Sequence, residues 1–509
     1  MELNRHICNQ LVEKARAFTQ ITLDDDYIVR DNKPDVVHII YTKGTICLED
    51  VKAGSQSVWV MGKLCFESMY KSDDDRRSID SVTGEIPFQE KIVMEEINDE
   101  DRVDIKVEIE DLSVGIINSR KLVVRAVLSV LAKSEEEVQS EITCRLPTEN
   151  HYEQKTTQLP MLCLVDSVND HVRVDKEVLL PSAKGNINEI VFYQTDFRNE
   201  EIMLRDNKAV ITMDVLLWVL YKNDTTKEYE YYETTLPLSE EIELYNLHND
   251  EIFWSKVSPE NISLEARADY DGEMRMFGLS MTLNVSLLLY REETCEQLVD
   301  AYSLEHELVI KKEPFTISQF LLKNISKTRI LEQIKVEPTL PRILQICGCS
   351  GNIIVDHMQR VEEGLKVDGI LNVHILYSTT DDEMPFAHHN SQVPFEQTIE
   401  ITGLSDASKY WTDQKIEQLQ VNLLDNMEYE VKAILQIGIF AQEPFVSENI
   451  VDIQEEPLNM DELQKQAGMI GCVCKEGEEL WDIAKRYHAT PENIMEIGDK
   501  VLVVKQVHK

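Results

Sequence analysis

The run VWVMGKLCFESMY (residues 58–70), an acidic turn and then EIPFQEKI (residues 85–92) form a pattern that recurs twice. VITMDVLLWVLY (residues 210–221) leads through a polar stretch to TLPLSEEI (residues 235–242). KVDGILNVHILY (residues 366–377) leads to QVPFEQTI (residues 392–399). Tyr70 and Pro87 are 17 positions apart, Tyr221 and Pro237 are 16, and Tyr377 and Pro394 are 17. The tyrosines follow one another at intervals of 151 and 156. Three anchors held in register mark an internal repeat.

Working outward, each copy is preceded by another apolar run: KPDVVHIIYTKG (residues 33–44), GNINEIVFYQTD (residues 185–196) and LPRILQICGCSG (residues 340–351). Each is followed by a further alternating run: KLVVRAVLSVLA (residues 121–132), FGLSMTLNVSLLLY (residues 277–290) and YEVKAILQIGIFA (residues 429–441). Period-two alternation rich in Val, Ile and Leu, broken by polar turns, reads as half-buried antiparallel strands. A parallel sheet would need helices between the strands, and that pattern is largely missing. The expected architecture is mainly β: tandem β-sandwich-like units spanning residues 1–137, 138–295 and 296–446, each large enough for its own core. The polar stretches 134–158 and 292–338 read as connections, and residues 447–469 as an acidic linker. Leu11, Ala15 and Phe18 fall at helical spacing, so residues 9–18 read as a short amphipathic helix.

The chain has 509 residues, with 51 Lys+Arg against 93 Asp+Glu, a formal net charge of −42. Such a surface repels phosphate backbones and anionic lipid, which argues against nucleic-acid and peripheral membrane binding. The longest mostly apolar stretch, residues 209–221, is interrupted by Thr212 and Asp214 and is too short to span a bilayer. The opening residues lack an apolar h-region, so no secretory signal is expected. The ten cysteines are scattered through strand-like runs and read as reduced core thiols of a soluble protein in a reducing compartment.

Residues 470–509 change style. A short strand, a turn at Gly477, an apolar helical face of Leu480, Ile483, Ala484 and Tyr487, a second helix start at Thr490-Pro491 and a closing strand over 501–504 predict a small α+β module of βααβ order. This stretch resembles a LysM domain, through Gly477, then Leu480, Ile483 and Ala484, Pro491 to Ile494, and Val501-Leu502. The resemblance implies a shallow groove for N-acetylglucosamine glycans or a protein partner. It would be formed by Gly477, Glu478, Glu479, Leu480, Trp481, Asn493 and Ile494, with Trp481 as a candidate aromatic anchor. Glu478-Glu479 stands where the family has Asp-Thr, a departure at a groove position that leaves protein contact and sugar binding both open.

The repeats resemble SPOCS-type domains of spore coat proteins in endospore-forming Firmicutes. The resemblance rests on Pro34 to Ile40, on the Gly62–Tyr70 and Gly369–Tyr377 spacing, and on the Pro87-Phe88 and Pro394-Phe395 motifs. The second copy departs from it, with Met213 in place of the glycine and Leu238 in place of the phenylalanine. Three SPOCS repeats and a LysM imply a non-enzymatic scaffold in the mother-cell cytoplasm at the forespore surface. That scaffold would bind a SpoIVA-like morphogenetic ATPase and other coat proteins. A peptidoglycan-binding wall protein is the alternative. No nucleophile elbow, phosphate loop or zinc-protease motif is present, so no catalytic residue, cofactor or metal is expected. The pairs Cys347/Cys349 and Cys472/Cys474 lack the four-ligand spacing of structural zinc. His388-His389 reads as a solvated loop.

Overall fold

Alternation in the sequence becomes long antiparallel strands in a computed structural model. The model describes residues 3–74, 78–99, 101–147, 152–245, 247–248, 251–381, 383–458, 468–473, 477–497 and 500–504. The first unit contains β1 (Asn4–Ile28), β2 (Val36–Gly54), β3 (Ser57–Ser72), β4 (Ile79–Val93), β5 (Arg102–Asn118) and β6 (Lys121–Arg145). They form two three-stranded sheets, ordered β2-β3-β4 and β1-β6-β5. The second unit repeats this with β7 (Tyr152–Leu179), β8 (Ile187–Arg205), β9 (Lys208–Asn223), β10 (Tyr229–Glu243), β11 (Ile252–Ala268) and β12 (Met274–Ser303). The third repeats it with β13 (His306–Lys335), β14 (Ile343–Val361), β15 (Gly364–Thr379), β16 (Phe386–Glu400), β17 (Lys409–Asp425) and β18 (Glu428–Pro457).

In each unit the alternate residues of the two central strands meet face to face. Val58, Val60, Leu64 and Phe66 of β3 share a core with Val124, Ala126, Leu128 and Val130 of β6. Every one of these side chains buried from water contributes on the order of 1 to 3 kcal/mol. The three anchor tyrosines are fully buried, and each ties its strand to the chain ahead of the preceding one. Tyr70 donates to the Pro34 carbonyl at 3.1 Å and Tyr377 to that of Pro341 at 3.2 Å. Tyr221 reaches the Gly185 carbonyl at 3.5 Å and donates also to Glu230 of β10 at 2.8 Å.

The second unit's departure has a steric explanation. Gly62 pairs directly with Phe88, and Gly369 with Phe395. A Cβ on Gly62 would lie 2.8 Å from the Cys47 carbonyl and 2.9 Å from the Phe88 ring; on Gly369, 2.4 Å from the Ile354 carbonyl and 2.8 Å from the Phe395 ring. At the same position of the second unit Met213 pairs with Leu238. The small–large pair has become medium–medium, while the facing edge strand shifts register at this point in all three units, between Leu48 and Asp50, Arg198 and Glu201, and Val355 and His357.

The longest strands run past the sandwiches as three two-stranded ribbons, β1/β6, β7/β12 and β13/β18. Their extensions pack on one another. Phe440 of β18 is fully buried, with ring centroids 5.2 Å from Tyr290, 5.7 Å from Phe320 and Trp411, and 6.4 Å from Trp254. Leu11 of β1 and Leu162 of β7 complete this cluster, which therefore draws on all three units. Buried amides join the ribbons edge to edge. Thr143 N–H donates to Asn449 Oδ1 at 2.9 Å, and Asn449 Nδ2 donates to the Glu141 carbonyl at 2.7 Å. Gln297 Nε2 donates to the Glu448 carbonyl at 2.9 Å, and Gln10 Nε2 to the Thr316 carbonyl at 3.2 Å.

Several sequence expectations give way here. Residues 9–18 are strand in β1, not helix, because the antiparallel ladder to β6 runs through this stretch, with one bulge between Glu13 and Ala15, and overrides a three-residue apolar spacing. Much of 134–158 and 292–338 is strand in β6, β7, β12 and β13, and residues 447–457 belong to β18; residues 459–467 of the expected linker lie outside the described residues. Most of their charges are exposed, but Glu135 is buried, as are the amides of Gln297 and Asn449. His388 and His389 lie on β16 rather than in a solvated loop. The His388 ring stacks on His374 with centroids 5.5 Å apart, and His389 Nδ1 lies 2.8 Å from the Tyr429 hydroxyl. Cys8 and Cys163 form a disulfide between β1 and β7 rather than standing as reduced thiols. Cys347 is a buried free thiol, and Cys474 lies outside the described residues.

Candidate docking site of the C-terminal module

The C-terminal module comprises β19 (Met469–Val473), α1 (Leu480–Tyr487), a 3-10 turn (Pro491–Asn493), β20 (Ile494–Ile497) and β21 (Lys500–Val504), with sheet order β19-β21-β20. The second helix expected at Thr490-Pro491 is a single 3-10 turn. Asn493 returns its N–H to the Thr490 carbonyl at 3.0 Å, and Ile494 then pairs with Val503 as strand. Gly477 supplies the left-handed turn before α1, at φ 82°. Glu479 N–H donates to Asp482 Oδ2 at 3.0 Å, satisfying one of the helix's open donors. Ile483 packs with Ala489, Val501 and Val503 to make the module's small core.

The opposite face of α1 lies against the ribbons of the β-body. Trp481 Nε1 donates to Asp300 Oδ2 at 2.8 Å, and Lys485 Nζ to Asp300 Oδ1 at 2.6 Å. The Tyr302 ring meets Trp481 edge-on at 5.0 Å, and its hydroxyl donates to the Ala489 carbonyl at 2.7 Å. Glu479 pairs with Lys155 of β7, and His488 Nδ1 lies 3.1 Å from the Ser303 carbonyl. Burial alone would push the Asp300 carboxyl up, but its bonds to Lys485 and Trp481 prevail and hold it below the ordinary carboxylate value. A cleft of about 580 Å³ opens beside this contact, lined by Lys155, Asp300, Lys312, Trp481 and Lys485 among others.

The residues expected from sequence divide accordingly. Glu479 and Trp481 are engaged by the β-body, Glu478 pairs with Arg486 within the module, and Asn493 bonds back to Thr490 at 2.7 Å. Leu480 is exposed, and Ile494 is partly buried against the module core. Asp300, Tyr302 and Lys155 were missed: they sit among ordinary strand residues, and nothing in their local pattern distinguishes them.

Residues 35–117 and 342–424 match the family model described as SipL, SPOCS domain. The matches cover β2–β5 and β14–β17, which is each of these two units without its two longest strands. They support a SipL-like chain, and a SPOCS domain marks a sporulation-related protein. The second unit, β8–β11, has the same strand order although its sequence departs at Met213 and Leu238. No curated protein and no solved structure gives a significant match. Among the described residues, no helix is long and apolar enough to cross a membrane.

Proposed function

We propose that this protein is a non-enzymatic scaffold of spore coat assembly, the SipL-like counterpart of SpoVID. It works in the mother-cell cytoplasm at the forespore surface. Its LysM-like C-terminal module binds a SpoIVA-like morphogenetic ATPase, and the β-units contact further coat proteins. The observation that carries this reading is the pair of SPOCS matches set in a chain of three equivalent units. A body built from three fused sandwiches offers several fixed surfaces at once, and weak contacts made together add up to durable attachment. Trp481, the ring a glycan would stack on, is already bonded to Asp300 and Tyr302, which favours a protein partner over peptidoglycan.

The test is a pulldown with purified SpoIVA-type ATPase, comparing the full chain with one ending at residue 469. Binding that survives the deletion refutes the docking assignment. A fluorescent fusion that stays diffuse throughout sporulation refutes the scaffold role. Retention on purified peptidoglycan that is lost in Trp481→Ala supports the glycan alternative instead.

A further inference from the structure

The Cys8–Cys163 disulfide does not stand alone. His6 lies two residues before Cys8 on β1, and alternation puts both side chains on one face of that strand. Glu293 reaches in from β12, and its Oε2 is 2.9 Å from His6 Nε2. One ligand atom each from His6, Cys163 and Glu293 fall within 4.8 Å of one another, and Cys8 Sγ is bonded to Cys163 Sγ. Ligand atoms around a tetrahedral zinc lie roughly 3.3–3.8 Å apart, given bond lengths of about 2.0–2.3 Å. The His6, Cys163 and Glu293 donors therefore need to close in by only about 1 Å, while Cys8 Sγ, held next to Cys163 Sγ by the bond, moves away from it once that bond is broken. Cys8 and Cys163 are buried, whereas the side chains of His6 and Glu293 keep 35% and 28% of their exposure, leaving a solvent entrance at the nitrogen and oxygen side.

We infer that this cluster is a two-state site: a disulfide staple when oxidised, and a binding site for a zinc-class divalent cation when reduced. The ligands of the reduced state are Cys8, Cys163, His6 and Glu293. A dithiol reductant delivers two electrons and two protons to the Sγ–Sγ bond and leaves as its own disulfide. The cation then displaces the two thiol protons and binds as a two-sulfur, one-nitrogen, one-oxygen complex. The sequence hid this site because its ligands come from three strands of two units, 287 positions apart at the extremes. The neighbouring thiols of Cys144 and Cys295 belong to the same apolar cluster but are not ligands.

The experiment uses the full chain with cobalt(II) as the probe, before and after treatment with dithiothreitol and anaerobic desalting. The expected result is a thiolate-to-cobalt charge-transfer band at one ion per chain in the reduced protein and none in the oxidised protein. His6→Gln and Glu293→Gln, at partly exposed positions, are expected to weaken binding by more than about 10-fold, the loss that even outer-shell changes cause. Cys65→Ser, in the separate Cys47/Cys65 pair at 3.3 Å, is expected to leave it unchanged. Zinc should also protect Cys8 and Cys163 from alkylation, read by peptide mass spectrometry. No charge-transfer band in the reduced chain, a band that persists in Cys163→Ser, or a band that depends on Cys144 and not on His6 overturns the inference.

Discussion

The Met213·Leu238 pair invites a swap. Converting it to the Gly·Phe pair of the other two units takes two substitutions, Met213→Gly and Leu238→Phe, at positions that are each 3% exposed. Alone, Met213→Gly empties a buried site, which costs about 2–5 kcal/mol, and adds about 0.5–1 kcal/mol for glycine inside a strand. Alone, Leu238→Phe drives a larger ring against Met213 and costs about 1–3 kcal/mol. Together the ring can lie over the glycine, as Phe88 lies over Gly62 and Phe395 over Gly369. The double variant should recover about 2–3 kcal/mol relative to the sum of the singles, the upper part of the range for contacting residues. Several joined units need not unfold in one step, so the measurement is peptide-resolved hydrogen exchange over β9 and β10. Strict additivity of the two single effects would refute the steric account of the second unit.

Phe440→Ala should cost about 3–5 kcal/mol and broaden or split the urea transition, because its cavity lies where all three units meet; a shift below about 1 kcal/mol would contradict that role. Asp300→Ala leaves the Trp481 and Lys485 donors unpartnered, so α1 should exchange faster by a factor matching about 1–3 kcal/mol while exchange in β3 and β9 stays unchanged. The folded Asp300 carboxyl is depressed, so its contribution is complete above the ordinary value of about 3.9 and is lost as pH falls through the lower folded value. The module contact should therefore hold at pH 5 and loosen well below pH 4, a dependence that Asp300→Asn removes. His388 titrates with the opposite charge sign. Burial, with His374 and His389 nearby, pushes it down to about 3, so unfolded chains take up its proton first. Stability should fall as pH drops below about 6.5, by up to about 1.4 kcal/mol per pH unit, and His388→Phe should flatten that slope in urea midpoints taken between pH 7.5 and 5.

The inner strands were legible in the sequence because both of their faces obey simple rules: apolar residues alternate, and the Tyr-to-Pro spacing repeats three times. The structure keeps that register, with Lys63 opposite Pro87 and Ile370 opposite Pro394. The outer halves of β1, β6, β7, β12, β13 and β18 were not legible. Their inward residues are few, and their partners lie a hundred or more positions away, so local composition resembles a linker. Residues 9–18 show this most clearly: Leu11 is buried and Phe18 is 64% exposed, which no single helical face would give. The second unit was recognisable by spacing alone, since Met213 and Leu238 change both motif residues together. In the C-terminal module the turn glycine and the buried Ile483 and Ala484 of the helix face were read from the sequence, whereas Leu480 of that face is exposed. The surface that engages Trp481 was not, because Asp300 and Tyr302 sit on a strand that ends far upstream.

The bonds from Asn449 to Thr143 and Glu141 join residues more than 300 positions apart. During synthesis, then, the first sandwich can close on its own, but the free edge of its ribbon has no partner until translation has passed residue 449. For that whole interval a pairing-competent edge faces solvent, the kind of surface that invites exchange between neighbouring nascent chains. Ribosome pausing late in the message, or a premature stop within the last unit, would leave it exposed for longer.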